Sequence, residues 1–351
     1  GENNVAVGTL AMDANTTGGS NVGVGRDALG ANTTGSNNTA VGKSALNTTT
    51  TSSNNTGVGF QALYTLNGGV SNAALGHNAL FNGTTCDNNT AVGKSAMENI
   101  TSGSKNVAVG TNALDAATTA DDNTAVGYEA LGANTSGTDN VAVGQAALDA
   151  NTTGNLNTAC GSFALSTATE ANNNTGLGYS ALFLLTTGSN NTAVGRASGE
   201  NVTTGAQNTF VGAESGDAAT TASNNTGIGY EALGKLTTGT DNTGVGRASG
   251  LDNTTGSGNC SLGVEALENG NGCNNSVAIG KQAGREITSG SNLLCLGTSS
   301  GNSGSPGGAL TSGNNEVTIG NGDHSKINAQ VSITVASDER DKTDFQPLSA
   351  G

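Results

Sequence analysis

The sequence of 351 residues has no tryptophan, two prolines, two histidines and only 3% aromatic residues. It has no apolar run near the roughly 20 residues that a membrane-crossing helix needs, so no membrane insertion is expected. Lys and Arg number 12 against 27 Asp and Glu, for a formal net charge of −15. No basic patch is available to displace counterions from a phosphate backbone, which excludes nucleic acid as a partner. With only His77 and His324 there is no His-containing catalytic triad. The five cysteines, Cys86, Cys160, Cys260, Cys273 and Cys295, are odd in number and lack C-x-x-C spacing. They form neither a disulfide framework nor a zinc site; they read as small packing residues, and neither metal nor cofactor is expected.

What fills the chain instead is glycine, 56 residues of it, with Asn, Thr and Ser. Such polarity alone resembles disorder, but the residues hold a strict phase. The motif is Asn-Thr/Val-Ala-Val-Gly, first met as Asn4-Val5-Ala6-Val7-Gly8. Its glycine stands at Gly8, Gly25, Gly42 and every seventeenth position up to Gly297, 18 times without insertion or deletion. A fixed period of this order marks a solenoid whose repeats stack as coils.

Slots are counted here from the motif glycine. Slot −1 is Val in most copies and otherwise Leu, Ile or Cys, as at Leu75, Ile228 and Cys160; slot −3 is Val or Thr in most; Ala or Gly lies between, with Phe210 an exception. This alternation predicts a short strand with one apolar face and one tightly approached face. Slot −4 is Asn from Asn4 to Asn259; Asn tolerates left-handed backbone and suits a sharp corner, and stacked Asn side chains form ladders. Slot +3 is Ala or Ser and slot +4 Leu, Met or Gly, a second apolar anchor. Slot +8 is Thr except at Asn67 and Asn271, a β-branched column that predicts a second short strand.

The fold expected is therefore all-β, a parallel β-solenoid of eighteen coils of seventeen residues each. Two full-sized apolar side chains and an alanine per coil contribute on the order of 5 kcal/mol. Ordering the residues of a coil costs roughly 1–2 kcal/mol each, so the coil looks too thin to close its own core. Several chains intertwined or packed round a shared apolar axis, as a homotrimer, solve this, and the small Ala/Gly slot suits close approach of neighbouring chains.

Slot +1 varies and gathers charge and aromatics: Arg26, Lys43, Phe60, His77, Lys94, Tyr128, Tyr179, Arg196, Tyr230, Arg247 and Lys281. One reading is an exposed stripe that binds a host-surface glycan or receptor. The other, favoured here, is that long side chains stack between layers and cover the coil edges.

Asn-x-Ala-Val-Gly followed by x-x-Ala-Leu resembles the head repeat of trimeric autotransporter adhesins of the YadA-like type, over residues 1 to about 300. The resemblance implies a trimeric left-handed parallel β-roll; the coils here are longer, the additional residues lying in the Thr-Thr-Gly return. After Gly297 the next motif, Glu316-Val317-Thr318-Ile319-Gly320, arrives six positions later than the period would place it. Residues 301–336 are expected to form an irregular coil and an amphipathic strand from Ile327 to Val335 that caps the trimer. Ser337-Asp338-Glu339-Arg340-Asp341-Lys342 resembles the opening of the intramolecular chaperone domain of phage tail spikes and fibres, the endosialidase type. The resemblance implies that residues 337–351 begin that domain. It makes Ser337 and Lys342 a dyad for a single self-cleavage, with Asp338 flanking the cut.

The chain starts in phase without a Met and reads as a piece of something longer. The function expected is structural and adhesive, not enzymatic beyond that one cleavage. It is the shaft of a trimeric tail fibre for host-cell attachment, located on the virion and extracellular. The alternatives are a bacterial trimeric adhesin head on the cell surface and an ice-binding solenoid displaying its Thr columns.

Overall fold

The computed structural model describes residues 1–305 and 307–324. Nineteen three-residue strands, from β1 (Val5–Val7) through β2 (Val22–Val24) to β18 (Leu294–Leu296) and β19 (Val317–Ile319), form one parallel sheet. Each strand pairs with the next at its own slot, Val22 with Thr39 and Val24 with Val41 for example. The chain is a β-solenoid with one coil per 17 residues. Across the longer connection the ladder continues, Leu294 against Val317 and Leu296 against Ile319, so the six additional residues leave the stack as a loop without breaking it.

Hydrogen bonds run between layers all round the coil, not only in the strand. Thr39 N–H donates to Asn55 O at 2.8 Å, Leu29 N–H to Ala45 O at 3.1 Å and Thr33 N–H to Thr50 O at 2.9 Å. The Thr return at slot +8 is thus a bonded column of bends and not the second strand its β-branched residues suggest. Its hydroxyls are engaged too: Thr33 Oγ1 donates to Thr50 O and Thr135 Oγ1 to Thr152 O, both at 3.0 Å.

The Asn ladder is present and buried. Asn140 N–H donates to Asn123 Oδ1 at 3.0 Å and Asn157 N–H to Asn140 Oδ1 at 3.0 Å. The same Asn140 amide donates to Gly154 O at 2.8 Å. The row runs from Asn4 to Asn259 and is handed on to Ser276. The left-handed corner lies one residue earlier, at slot −5: Asn37 has φ 59° and Lys105 the same. The motif Asn is needed for its side chain, which bonds a neighbour on either side.

The core is narrow. It is filled by the slot +3 Ala and slot +4 Leu, such as Ala130 and Leu131, and by the small slot −2 residue, such as Ala125. The slot −2 side is the tightly approached one, and what approaches it is the chain's own leucine. A Cβ on Gly57 would lie 3.5 Å from Leu46 Cδ1, and one on Gly176 3.3 Å from Leu165 Cδ1. That replaces the expectation that this slot admits neighbouring chains. The slot +4 leucines sit at φ 51–54°, a left-handed conformation that costs an L-residue roughly 1–2 kcal/mol. In Gly199, Gly216, Gly250 and Gly284 the same slot takes φ 59–63° without a Cβ. Where two such glycines adjoin, Phe210 fills the space: its Cδ2 is 3.2 Å from where a Gly199 Cβ would be.

Candidate functional site

With Ala or Gly inward, alternation turns slots −3 and −1 outward. The sheet therefore presents two parallel columns, Thr or Val beside Val, Leu, Ile or Cys. Slot −1 is apolar in every layer, and it is not covered: Val41 is 36% exposed, Val109 37% and Leu75 52%. Sequence reading counts this side chain with the leucine among the two apolar groups that fill each coil and gives the outward position to the small Ala/Gly slot; the structure reverses this, because the slot +4 leucine and the small slot −2 residue already fill a narrow interior.

The slot −3 column holds ten threonines, Thr39 and Thr56 among them, and an unbroken run from Thr158 to Thr243. All are half-buried or exposed. Among the described residues their hydroxyls make no hydrogen bond to protein, whereas slot +8 hydroxyls donate to the next layer. Two cysteines belong to this face, Cys160 in slot −1, exposed, and Cys260 in slot −3, half-buried. Cys86, Cys273 and Cys295 are buried, as packing residues should be. Burial pushes the Cys86 thiol up to about 12 and those of Cys273 and Cys295 up to about 11.

The slot +1 stripe is exposed throughout: Arg26, Lys43, Phe60, His77, Lys94, Tyr128, Tyr179, Arg196, Tyr230, Arg247 and Lys281. Many of its members are engaged with one another or with the adjoining columns. The Lys43 ammonium lies 5.3 Å from the Phe60 ring centre, and the Phe60 and His77 rings are 5.1 Å apart. Phe163 meets Tyr179 edge-on at 6.1 Å. Arg196 pairs with Glu214, Arg247 with Glu265, and Arg26 with Asp27 at 3.5 Å. Carboxylates beside the phenols, Glu129 at Tyr128 and Glu231 at Tyr230, push both phenols up.

Carboxylates gather at slots +2 and +5. Burial raises Asp217 to about 6, with Glu214 and Glu200 adding to it. Burial likewise raises Asp115 and Asp149, assisted by Glu98 at the first and Glu129 at the second. Among the described residues no three His, Cys, Asp or Glu side chains are gathered closely enough to hold a metal ion. Ser337, Asp338, Lys342 and the strand expected from Ile327 to Val335 lie outside the described residues.

No family model and no curated protein matches the chain.

Proposed function

We propose that the chain is the shaft of a fibre, a structural and adhesive rod built from three copies whose outward strand faces meet along a common axis. The observation that carries this reading is the slot −1 column, apolar in all 19 strands and half-exposed. Nineteen layers at about 4.8 Å and a face about 10 Å wide present on the order of 900 Å² per chain. That is about one side of a standard stable interface.

The setting that fits such a rod best is a tail fibre carried on a virion and used in host attachment, matured by self-cleavage at Ser337 with Lys342 as base. The support for that setting is the Ser337-to-Lys342 motif following the solenoid, which the bacterial adhesin reading does not account for. Contact with a host glycan falls to the slot +1 stripe, which lies beside the outward face and leaves the rod's edge accessible.

Charge on the outward column tests the shaft reading. A Val109→Asp/Val143→Asp variant is expected to keep its β-type circular dichroism while losing association. Association unchanged in that variant would contradict the reading. For the stripe, a Lys43→Ala/Phe60→Ala/His77→Ala variant is expected to keep association and lose signal on a glycan array that the parent chain labels.

A further inference from the structure

We propose that Asn271 is a modification site: in the folded protein its side-chain amide is lost spontaneously, through attack by the nitrogen of Gly272. The chain has five Asn-Gly steps, at Asn67, Asn82, Asn269, Asn271 and Asn321. In each, a glycine nitrogen follows the amide-bearing residue with no side chain to hinder its approach. The glycine N–H gives its proton to a base in solution, its nitrogen bonds to the asparagine Cγ, and the side-chain nitrogen takes up a proton and leaves as ammonia. Water then opens the cyclic imide at either carbonyl, giving aspartate or isoaspartate. In sum one water is consumed and one ammonia released, and no oxidant or metal takes part.

The fold decides which nitrogen is free to attack, because the reacting atoms must first come into line. Gly83 and Gly270 occupy slot +7, inside the coil. Their N–H groups donate to Leu80 O at 3.4 Å and Leu267 O at 3.2 Å, and a Cβ on either would strike the same leucine. Gly68 N–H donates to the buried Ser52 Oγ at 2.7 Å. Asn321 has its amide held at both ends by Asp323.

Asn271 shares slot +8 with Asn67 but is released. Along this slot Thr220 N–H donates to Thr237 O at 3.0 Å and Thr237 N–H to Thr254 O at 2.8 Å, and the ladder stops there. Among the described residues no N–H donates to Asn271 O, and Gly272 N–H has no acceptor. Asn271 N–H turns back to Asn269 O at 2.7 Å instead, and residues 271–272 form a turn where most layers have bends. Asn271 is exposed, and a Cβ on Gly272 would meet nothing nearer than Thr255 Oγ1 at 3.9 Å. Thr254 Oγ1 donates to Asn271 Oδ1, which stabilises the negative charge that gathers on that oxygen during attack. Thr50 Oγ1 does the same for Asn67 at 2.6 Å, so the two steps differ at the glycine N–H and in the ladder. The modification adds a negative charge to a chain already at −15. It falls in a layer whose return ladder is open, so the stack is expected to stay folded.

The experiment is ageing of the folded full chain at mildly alkaline pH, followed by peptide mass spectrometry at intervals, beside the same chain in denaturant and an Asn271→Gln variant. Deamidation at Asn271 is expected to outrun each of the other four steps by about tenfold, the factor that one hydrogen bond represents. In denaturant the five steps are expected to react at similar rates. The acidic species that ion exchange resolves from the aged parent is expected to be missing from the Asn271→Gln variant. No product at Asn271 in the folded chain would overturn the proposal. Equal rates at Asn67 and Asn271 in the folded chain would overturn it too, because the fold would then not be selecting the site.

Discussion

At the scale of single residues, the slot +4 leucine is under two opposed demands. It is the largest group in a thin core, and its backbone is held at φ 51–54°. Replacing Leu114, which is fully buried, by Ala is expected to cost about 2–5 kcal/mol through the cavity. Leu114→Gly removes one more methyl but also the left-handed strain. The Gly variant is therefore expected to unfold no earlier than the Ala variant, reversing the order found where backbone is ordinary. Urea titration of both decides it, and a Gly variant clearly weaker than Ala would contradict the strain. None of this was legible in the sequence, because leucine carries no local preference for left-handed backbone. The companion signal was visible: Phe210, the one large residue in the small slot, occurs between two layers whose slot +4 is Gly199 and Gly216.

The strands are three residues long and would not persist singly; their stability lies in the columns. Asn140 shows what a column member does. Its side chain accepts from Asn157 N–H at 3.0 Å, and its amide donates to Gly154 O at 2.8 Å. Asn140→Ala leaves the buried Asn157 N–H of the following layer unpaired, at about 1–3 kcal/mol, and removes one of the two donors on Gly154 O, the other being Asn151. A loss of about 2–5 kcal/mol is expected, with hydrogen exchange quickening at Asn157, whereas Asn37→Asp on the exposed left-handed corner, a slot that Asp139 occupies at φ 58°, is expected to change stability by less than about 0.5 kcal/mol. Equal losses would contradict the ladder. The period, the Asn column and the Leu anchor were all readable from the repeat. The direction of the strand was not, since Val-Ala-Val alternation separates two faces without saying which one meets the core.

On the scale of the whole molecule, 27 acidic groups against 12 basic ones act together with partial burial. Asp217 has its pKa raised to about 6 from 3.8, and Asp115 and Asp149 are raised as well. A carboxyl raised in the folded state binds its proton more tightly there than in the unfolded chain. Stability therefore increases as pH falls from above 6 towards the ordinary value. The melting temperature is expected to rise between pH 7 and pH 5, the reverse of ordinary acid unfolding. The rise should be smaller in Asp217→Asn, and a melting temperature that falls over this range would contradict the burial of these carboxyls.

The outward columns give the molecule its central feature: a coil stack filled inside, with an apolar column exposed along one face. Sedimentation equilibrium of the chain, whose mass is 34.0 kDa, tests that feature most directly. Three times the chain mass, persisting on dilution through the micromolar range, is the result this account predicts. A single-chain mass, with the β-type circular dichroism intact, would contradict it.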